Sequence, residues 1–181
     1  KANLSHAILT NANLDDVNLS GTRSGGIIGT PSALPSNCQL IDGYLVMPGT
    51  ISPGADLTGA DLMAADLTGA DLTNINFTGA DLTDAILTGT NLTGTDLTNA
   101  TLNLVQSGGI TGTPHALPQD WQLIDGFLFG PGADLTGANL TGKDLSSVNL
   151  FTATLTNATL TNTNLGSGLT GAELSMVKSG G

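Results

Sequence analysis

The amino-acid sequence predicts an all-β fold, a four-sided parallel β-helix built from five-residue repeats and interrupted by two homologous inserts. Three observations support this prediction: leucine recurs at every fifth position, a small residue precedes nearly every leucine by two places, and turn-forming residues follow it. Charged residues make up only 10% of the chain, whereas about 25% is typical of globular domains. We therefore expect a repeat protein rather than an ordinary globular domain.

The repeat unit reads A-(D/N)-L-T-(G/N). Its leucines form three runs, from Leu4 to Leu19, from Leu57 to Leu102 and from Leu135 to Leu165, and Phe77 takes one place in the second run. Neither common element has this period, because an α-helix turns by about 100° per residue and a strand alternates its side chains with period two. A five-residue unit keeps its leucine inside only if the chain turns one corner per unit. Four corners close a coil of about 20 residues, with Gly, Asn and Asp at the turns.

These residues resemble the repeats of the pentapeptide-repeat family, in which a small residue stands two places before a central Leu or Phe. The pattern covers most of the chain. The resemblance implies a right-handed quadrilateral parallel β-helix, a pentapeptide-repeat solenoid, in a bacterial protein of the type abundant in cyanobacteria. Coils of a solenoid depend on their neighbours, and an open coil edge invites pairing. We therefore expect end-to-end homo-oligomers.

The domain organisation follows from where the repeat is interrupted. We expect one solenoid over residues 1–181. Its repeats occupy residues 1–24, 50–107 and 133–179, and its inserts occupy residues 25–49 and 108–132. The two inserts are copies, because Ser24–Gly49 aligns without gaps to Ser107–Gly132 with 18 of 26 positions identical. Each copy begins with Ser-Gly-Gly, and a third Ser-Gly-Gly stands at 179–181. We therefore expect that the chain is a fragment and that the parent protein continues. The segment Gly166–Leu169 is one residue short of the repeat, which predicts a distorted corner.

Each insert contains an Asp-Gly pair between apolar residues, in Gln39–Leu45 and again in Gln122–Leu128. This pattern predicts a hairpin with a two-residue turn. The proline-rich half before it should be extended and poor at pairing. We expect each insert to lie against the coil as a cover or spacer. The alternative is a patch that binds a partner through its aromatic residues, namely Tyr44, Trp121, Phe127 and Phe129.

Catalytic residues are not evident in the sequence. His6 and His115 are far apart and outside any motif, and Cys38 aligns with Trp121 in the other insert, which indicates a packing position. Phosphate-binding and dinucleotide-binding motifs are missing, and a single cysteine with two histidines excludes the common zinc sites. We expect a protein that is not an enzyme and has no cofactor. No apolar segment reaches the roughly 20 residues of a membrane helix, so we expect no membrane insertion.

The charge is strongly acidic, with 15 Asp and Glu against four Lys and Arg and a net charge of −11. Such a surface repels nucleic acid, so we expect no direct nucleic-acid binding. An acidic face is predicted from five residues of the second run, namely Asp56, Asp61, Asp66, Asp71 and Asp81. Carboxylates stacked on successive coils could share a hard cation. A solvated outer face is the interpretation we favour.

Two functions remain after these exclusions. The first is a non-catalytic scaffold that presents its faces or inserts to an unidentified protein partner. The second follows from the resemblance, because some pentapeptide-repeat proteins mimic a DNA duplex and modulate DNA gyrase or a related topoisomerase. The net charge of −11 agrees with the second function.

Overall fold

The computed structural model is a β solenoid. It describes residues 2–19, 22–36, 38–47, 51 and 53–178, and this part of the chain contains no helix. Isolated parallel bridges join residues that occupy the same place four repeat units apart, as between Asp56 and Asn76 and between Asn76 and Asp96. One coil therefore contains four five-residue units. Its four bridge positions are illustrated by Asp56, Asp61, Asp66 and Asp71.

Each repeat unit is shaped by backbone hydrogen bonds to neighbouring coils. Leu57 N–H donates to the carbonyl of Asn76 in the next coil (2.8 Å), and Asn76 N–H donates back to the carbonyl of Ala55 (3.0 Å). Within the unit, Ala60 N–H donates to the Leu57 carbonyl (3.1 Å) and closes the corner. The corner residue Gly59 has a φ of 68°. This left-handed conformation favours glycine and asparagine, which explains the fifth letter of the repeat.

The repeated leucines form the core of the solenoid. Leu57, Leu62, Leu67 and Leu72 belong to one coil and have no exposed surface. Burying each of them stabilises the fold by about 1.5–3 kcal/mol relative to exposure. The buried residues form three clusters that follow one another along the chain. The clusters meet at two hairpins.

The described residues contain four short strands, which form the two hairpins. They are β1 (Gln39–Ile41), β2 (Tyr44–Val46), β3 (Gln122–Ile124) and β4 (Phe127–Phe129). β1 pairs antiparallel with β2, and β3 pairs antiparallel with β4. The turn residues Asp42 and Gly43 have φ values of 49° and 78°, as a two-residue hairpin turn requires. We call β1–β2 the first hairpin and β3–β4 the second hairpin.

The proline-rich segment before each hairpin belongs to the coil, so the prediction that it pairs poorly is wrong. Ile28 and Thr111 form parallel bridges with Ile8 and Asn91, which lie in the preceding coil. Pro114 is tolerated because it takes the fifth place of its unit, where the N–H would otherwise donate to the following coil. The second hairpin replaces that coil here, so the missing N–H costs no hydrogen bond.

The spacing of the bridges changes at two places. Gln106 pairs with Asp134 instead of a residue one regular coil later, so the second hairpin lengthens the coil that contains it. Thr154 pairs with Glu173, one position short of the regular spacing. The second change confirms that the unit around Gly168 is one residue short. A Cβ at Gly168 would clash with a carbonyl oxygen of the preceding coil, so this short corner requires glycine.

Some sequence predictions concern residues whose structure is not described. The Ser-Gly-Gly at 179–181 lies outside the described residues, as do residues 49 and 50, where the first insert was predicted to end. Within the described residues, no helix has the length and apolar character of a membrane span.

Candidate interaction site

The second hairpin rests on the coil that precedes it. Ile110 N–H donates to the carbonyl of the turn residue Gly126 (3.0 Å). Leu128 N–H donates to the hydroxyl oxygen of Ser107 (3.0 Å). In the first hairpin, Leu45 N–H likewise donates to Ser24 Oγ (3.0 Å). The serine of each Ser-Gly-Gly motif therefore anchors the hairpin that follows it.

The glycines of the motif make room for an aromatic ring. A Cβ at Gly108 would lie 3.2 Å from the ring of Phe127, and a Cβ at Gly25 would lie 2.9 Å from the ring of Tyr44. Such distances are too short for any residue larger than glycine without movement of the ring. Together, serine and glycine specify where a hairpin can pack. Sequence reasoning recognised this motif only as the start of an insert.

The second hairpin also contacts the coil that follows it. Gln122 Nε2 donates to the carbonyl of Ser147 (3.0 Å). Lys143 Nζ forms an ion pair with Asp125 Oδ2 (2.7 Å) and lies 5.9 Å from the centre of the Phe127 ring. The hairpin is therefore held between two consecutive coils rather than against the outside of the solenoid.

Backbone pairing between these two coils is lost beside the hairpin. Asn139 and Asp144 form bridges with Thr159 and Asn164 of the following coil, and within the described residues they form none with the preceding coil. The second hairpin thus acts as a wedge that separates the coils on part of their circumference. The two coils remain paired on the side of Gln106, because its parallel bridge partner lies in the coil after the hairpin.

The core continues through the wedge because strand β4 points its side chains alternately to the two sides. Leu128 belongs to the core cluster of the preceding coils, whereas Phe129 belongs to the cluster of the following coils. Both side chains are fully buried. Trp121 packs against both clusters. The wedge therefore joins two cores that would otherwise be separate.

These contacts change the predicted aromatic patch. Phe129 has no exposed surface, so its inclusion in an accessible patch was wrong, because alternation along β4 turns it into the core. Tyr44, Trp121 and Phe127 are partly exposed. Tyr44 lies in the first hairpin, whereas Trp121 and Phe127 lie at the second. Several coils separate the two hairpins, so the three residues do not form one contiguous surface.

A cleft not foreseen from the sequence opens beside the second hairpin. It has a volume of about 430 Å³ and lies between coil residues 112–117 and the hairpin residues Leu123 and Asp125. A second groove of about 420 Å³ lies on another side of the hairpin, with Phe127 and coil residues 134–139 in its lining. Both volumes fall in the range of ligand sites in proteins. The clefts exist because the wedge separates the coils.

The predicted acidic residues do not converge. Asp56, Asp61, Asp66 and Asp71 occupy the four successive bridge positions of one coil, so they surround it. Asp81 stacks on Asp61, and this is the one bridge between two carboxylates among the described residues. Within those residues, no group of three or more His, Cys, Asp or Glu side chains could hold a metal ion.

The aspartates of the repeat are held by local hydrogen bonds. The Oδ1 atom of Asp56 accepts hydrogen bonds from the hydroxyl (2.6 Å) and the N–H (3.2 Å) of Thr58. The side-chain hydrogen bond from Thr58, supported by the backbone one, holds the pKa of Asp56 below its ordinary value. Thr83 lowers the pKa of Asp81 in the same way. These carboxylates therefore stay ionised at neutral and mildly acidic pH.

The single thiol is placed in the core. Cys38 is buried in the cluster of the first coils, and desolvation raises the pKa of its thiol to about 11. A neutral thiol is a poor nucleophile. This agrees with the interpretation of Cys38 as a packing residue.

The coil and its two hairpins define a class of protein, a β solenoid made of stacked five-residue units. The family model for pentapeptide repeats matches the chain in eight copies, over residues 1–23, 49–79, 75–104 and 132–166. These matches cover more than half of the chain, so the chain belongs to the pentapeptide-repeat family. They leave out the two segments that contain the hairpins.

Several solved structures are similar to the chain. HetL, a pentapeptide repeat protein involved in heterocyst differentiation regulation from the cyanobacterium Nostoc sp. strain PCC 7120, is 23% identical, with coverage of 98% of this chain and 86% of that one and a TM-score of 0.32. Full-length QnrB1, a plasmid-mediated fluoroquinolone resistance protein, is 19% identical, with coverage of 99% and 92% and a TM-score of 0.33. Rfr23 from the cyanobacterium Cyanothece 51142 is 27% identical, with coverage of 70% and 85% and a TM-score of 0.21. A comparison with curated proteins found no match.

Proposed function

We propose that this protein is a non-catalytic scaffold that binds a protein partner at the surfaces beside its second hairpin. The observation that carries this proposal is the wedge itself. It separates two coils and gives up their backbone pairing at Asn139 and Asp144, although a continuous coil would keep those hydrogen bonds. A feature that departs from the local rule of the fold is a candidate for function.

The absence of catalysis is part of the proposal and has its own support. The thiol of Cys38 is buried and its pKa is raised, so a thiolate nucleophile is disfavoured. Four of the five predicted aspartates surround one coil and do not converge. The fifth, Asp81, stacks on Asp61, but hydrogen bonds from Thr83 lower the pKa of Asp81, which disfavours it as a general acid. No cofactor is part of the proposed function.

The finer architecture is likewise inferred. We infer a right-handed solenoid with a quadrilateral cross-section. The cross-section is supported by four bridge positions in each coil, and the handedness by the right-handed preference of connections between parallel β segments. We also infer a single domain over residues 1–181, in which the first half of each insert, 25–49 and 108–132, contributes units to the coil and the second half forms a hairpin. Trp121 packs against two of the three core clusters, which supports one continuous domain. A crystal structure would test handedness and section together.

Partner capture tests the proposed function. The native chain would be immobilised and exposed to a cyanobacterial lysate beside a variant with Thr113→Arg and Thr136→Arg, which places bulk and charge in both clefts. A matched control carries Met63→Arg and Thr68→Arg, at the same place of the repeat but on exposed coil surface. We expect the native chain and the control to retain the same partner and the cleft variant to lose it. Equal retention by all three proteins would contradict a binding surface beside the wedge.

A second candidate function is modulation of DNA gyrase or a related topoisomerase by DNA mimicry. The observation that favours it is a net charge of −11 combined with hydrogen bonds that keep Asp56, Asp81 and Asp96 ionised. This candidate requires no cleft and no wedge. The two functions are therefore separated by different variants.

A further inference from the structure

The cleft between the second hairpin and the coil exposes backbone groups of the coil. In an uninterrupted unit the N–H of the central residue donates to the next coil, as Leu57 N–H donates to Asn76. Gly112 and Leu117 take the central place of their units and line the cleft. Within the described residues, neither N–H has a hydrogen-bond partner. Two backbone donors of a coil edge are thus left free at this cleft.

The opposite wall of the cleft is also a strand edge. Leu128 N–H donates to Ser107, away from β3, so Leu123 and Leu128 form a pair without hydrogen bonds between them. In an antiparallel ladder, the backbone groups of such a pair point outward from the two strands. The N–H and C=O of Leu123 therefore point away from β4, and Leu123 lines the cleft. This outer edge of β3 can accept another strand.

Unpaired strand edges select a particular kind of ligand. An extended peptide pairs its own N–H and C=O groups with such an edge and gains affinity from main-chain hydrogen bonds. The cleft volume of about 430 Å³ is large enough for a short segment by the usual size of ligand sites. A compact or polar small molecule would not satisfy a row of backbone groups.

Charge indicates the composition of that peptide. Asp125 stands at the cleft with a side chain that is 69% exposed, and Asp120 is exposed in the segment just before β3. Lys143 is the basic residue that neutralises Asp125 in part, through Oδ2. With a net charge of −11 over the whole chain, the surface attracts a basic segment and repels an acidic one.

We propose that this cleft binds an extended, basic peptide segment of a partner protein, which adds as a strand to the outer edge of β3. The inference rests on the proposed scaffold function and specifies its site and its ligand chemistry. Alternating apolar side chains of the bound strand face Leu117 and Leu123, and basic side chains reach Asp125. The second hairpin then becomes a three-stranded sheet.

The test uses the intact chain and a defined probe, the capped peptide Lys-Val-Lys-Val-Lys-Val. Binding is measured by calorimetry and by the fluorescence of Trp121, the single tryptophan of the chain, which directly precedes β3. Thr113→Arg places a bulky cation in the cleft, and Thr68→Arg makes the same change at the same place of an uninterrupted unit. Both side chains are exposed, so neither change disturbs the core.

We expect the probe to bind the native chain and the Thr68→Arg variant equally, and the Thr113→Arg variant at least tenfold more weakly. Binding should weaken with added salt, and a Glu-Val version of the probe should not bind. Two further probes carry backbone N-methyl groups, one at the odd and one at the even residues. At least one of them should bind the native chain at least tenfold more weakly, because methylation removes the N–H groups that pair with the strand edge.

Two results would overturn the inference: no binding to the native chain at millimolar probe, or equal affinity for the two arginine variants. Preferred binding of the Glu-Val peptide would also overturn it. If partner capture by the native chain persists while the probe fails, the strand-addition site is wrong and the scaffold stands. If the native chain captures no partner, the proposed function fails whatever the probe does.

Discussion

Trp121 and Gly130 take the places of Cys38 and Met47 in the other copy of the insert. The indole ring lies so close to Gly130 that any Cβ there would overlap it. The first copy has the opposite order of sizes, with Cys38 and Met47 both buried. In each copy, one large and one small residue fill the equivalent space. The large residue is Met47 in the first copy and Trp121 in the second, so the two positions have exchanged their sizes.

This exchange predicts strong coupling between the two positions. Gly130→Met alone should lower the free energy of unfolding by about 1–3 kcal/mol, because methionine overpacks the site against the indole ring. Trp121→Cys alone should also destabilise the fold, because it leaves a cavity. The double variant restores the arrangement of the first copy, with an interaction energy of about 0.5–3 kcal/mol. Urea unfolding followed by circular dichroism measures all three, and strictly additive effects would disprove the exchange.

The aspartates of the repeat make stability depend on pH in the acidic range. Hydrogen bonds from Thr83 and from Ser146 hold the pKa values of Asp81 and Asp144 below their ordinary value. The contribution of these two carboxylates to folding stability is fully present above the pKa of an unfolded aspartate, about 3.9. It is lost as the pH falls through their lower pKa values in the folded state. The melting temperature should therefore be nearly constant from pH 7 to pH 5 and should fall below pH 4.

A substitution isolates this effect from general acid unfolding. Asn76 Oδ1 accepts the same hydrogen bonds from Thr78, at 2.7 and 3.0 Å, so asparagine can replace aspartate without losing the turn. Asp81→Asn and Asp144→Asn together should reduce the fall in melting temperature between pH 5 and pH 2. An unchanged pH profile in this double variant would show that other groups cause the acid dependence.

At the scale of the element, the second hairpin depends on one serine hydroxyl. Ser107 Oγ accepts the hydrogen bond of Leu128 N–H (3.0 Å), and Leu128 is buried. Ser107→Ala leaves this N–H without an acceptor, which should cost about 1–3 kcal/mol. Ser147→Ala, an exposed serine of the following coil, is the matched control and should cost less than about 0.5 kcal/mol. Hydrogen exchange at Leu128 should accelerate in the first variant only, and equal exchange in both would contradict the anchor.

The coil could be predicted from the sequence because its rules are local. Each unit carries its own leucine, small residue and corner residue, so the period alone predicts a coil of four units, as the pairing of Asp56 with Asn76 shows. The Asp42-Gly43 turn is local as well. The wedge is not local, because it depends on Gln106 pairing with Asp134 across the hairpin. Comparison of the two inserts could not reveal which residues remain in the coil and which leave it.

The same limit explains the errors at the candidate site. The sequence predicts Phe129 in a surface patch, because composition alone does not show which side of β4 faces a core. Its burial follows from the two coils that enclose the hairpin. The cleft at Leu123 could not be seen either, since it is a space between segments far apart in sequence. The signal in the sequence was the Ser-Gly-Gly motif, because its serine stands at the place where the repeat has a leucine.

At the scale of the whole molecule, association between chains stays a prediction. Leu174 and Met176 are 44% and 77% exposed near the C-terminal end of the described residues, and Ile8 is 73% exposed near the other end. Exposed apolar side chains and open coil edges favour end-to-end pairing. Sedimentation velocity between about 1 and 100 μM protein, a range that spans common dimer affinities, should show a mass that rises with concentration. A constant monomer mass would contradict this expectation.

The distribution of charge bears on the choice between the proposed scaffold and the DNA mimic. B-DNA carries one phosphate charge per about 1.7 Å of axis, which corresponds to about three charges per coil at a coil spacing near 4.8 Å. The coil that contains Asp56, Asp61, Asp66 and Asp71 reaches this density, but the next coil has only Asp81 and Asp84 and the one after it only Asp96. The match to a duplex is therefore limited to a short length, which favours the scaffold.

A gyrase supercoiling assay tests this comparison. The native chain is titrated beside a variant in which the five aspartates of the predicted acidic face are replaced by asparagine; they are Asp56, Asp61, Asp66, Asp71 and Asp81. Asparagine preserves the turn hydrogen bonds, as Asn76 shows, so the variant should fold and differ in charge alone. We expect no inhibition by either protein at micromolar concentration, because the acidic surface is too short. Inhibition by the native chain and not by the variant would instead establish DNA mimicry, and the clefts beside the second hairpin would then need another explanation.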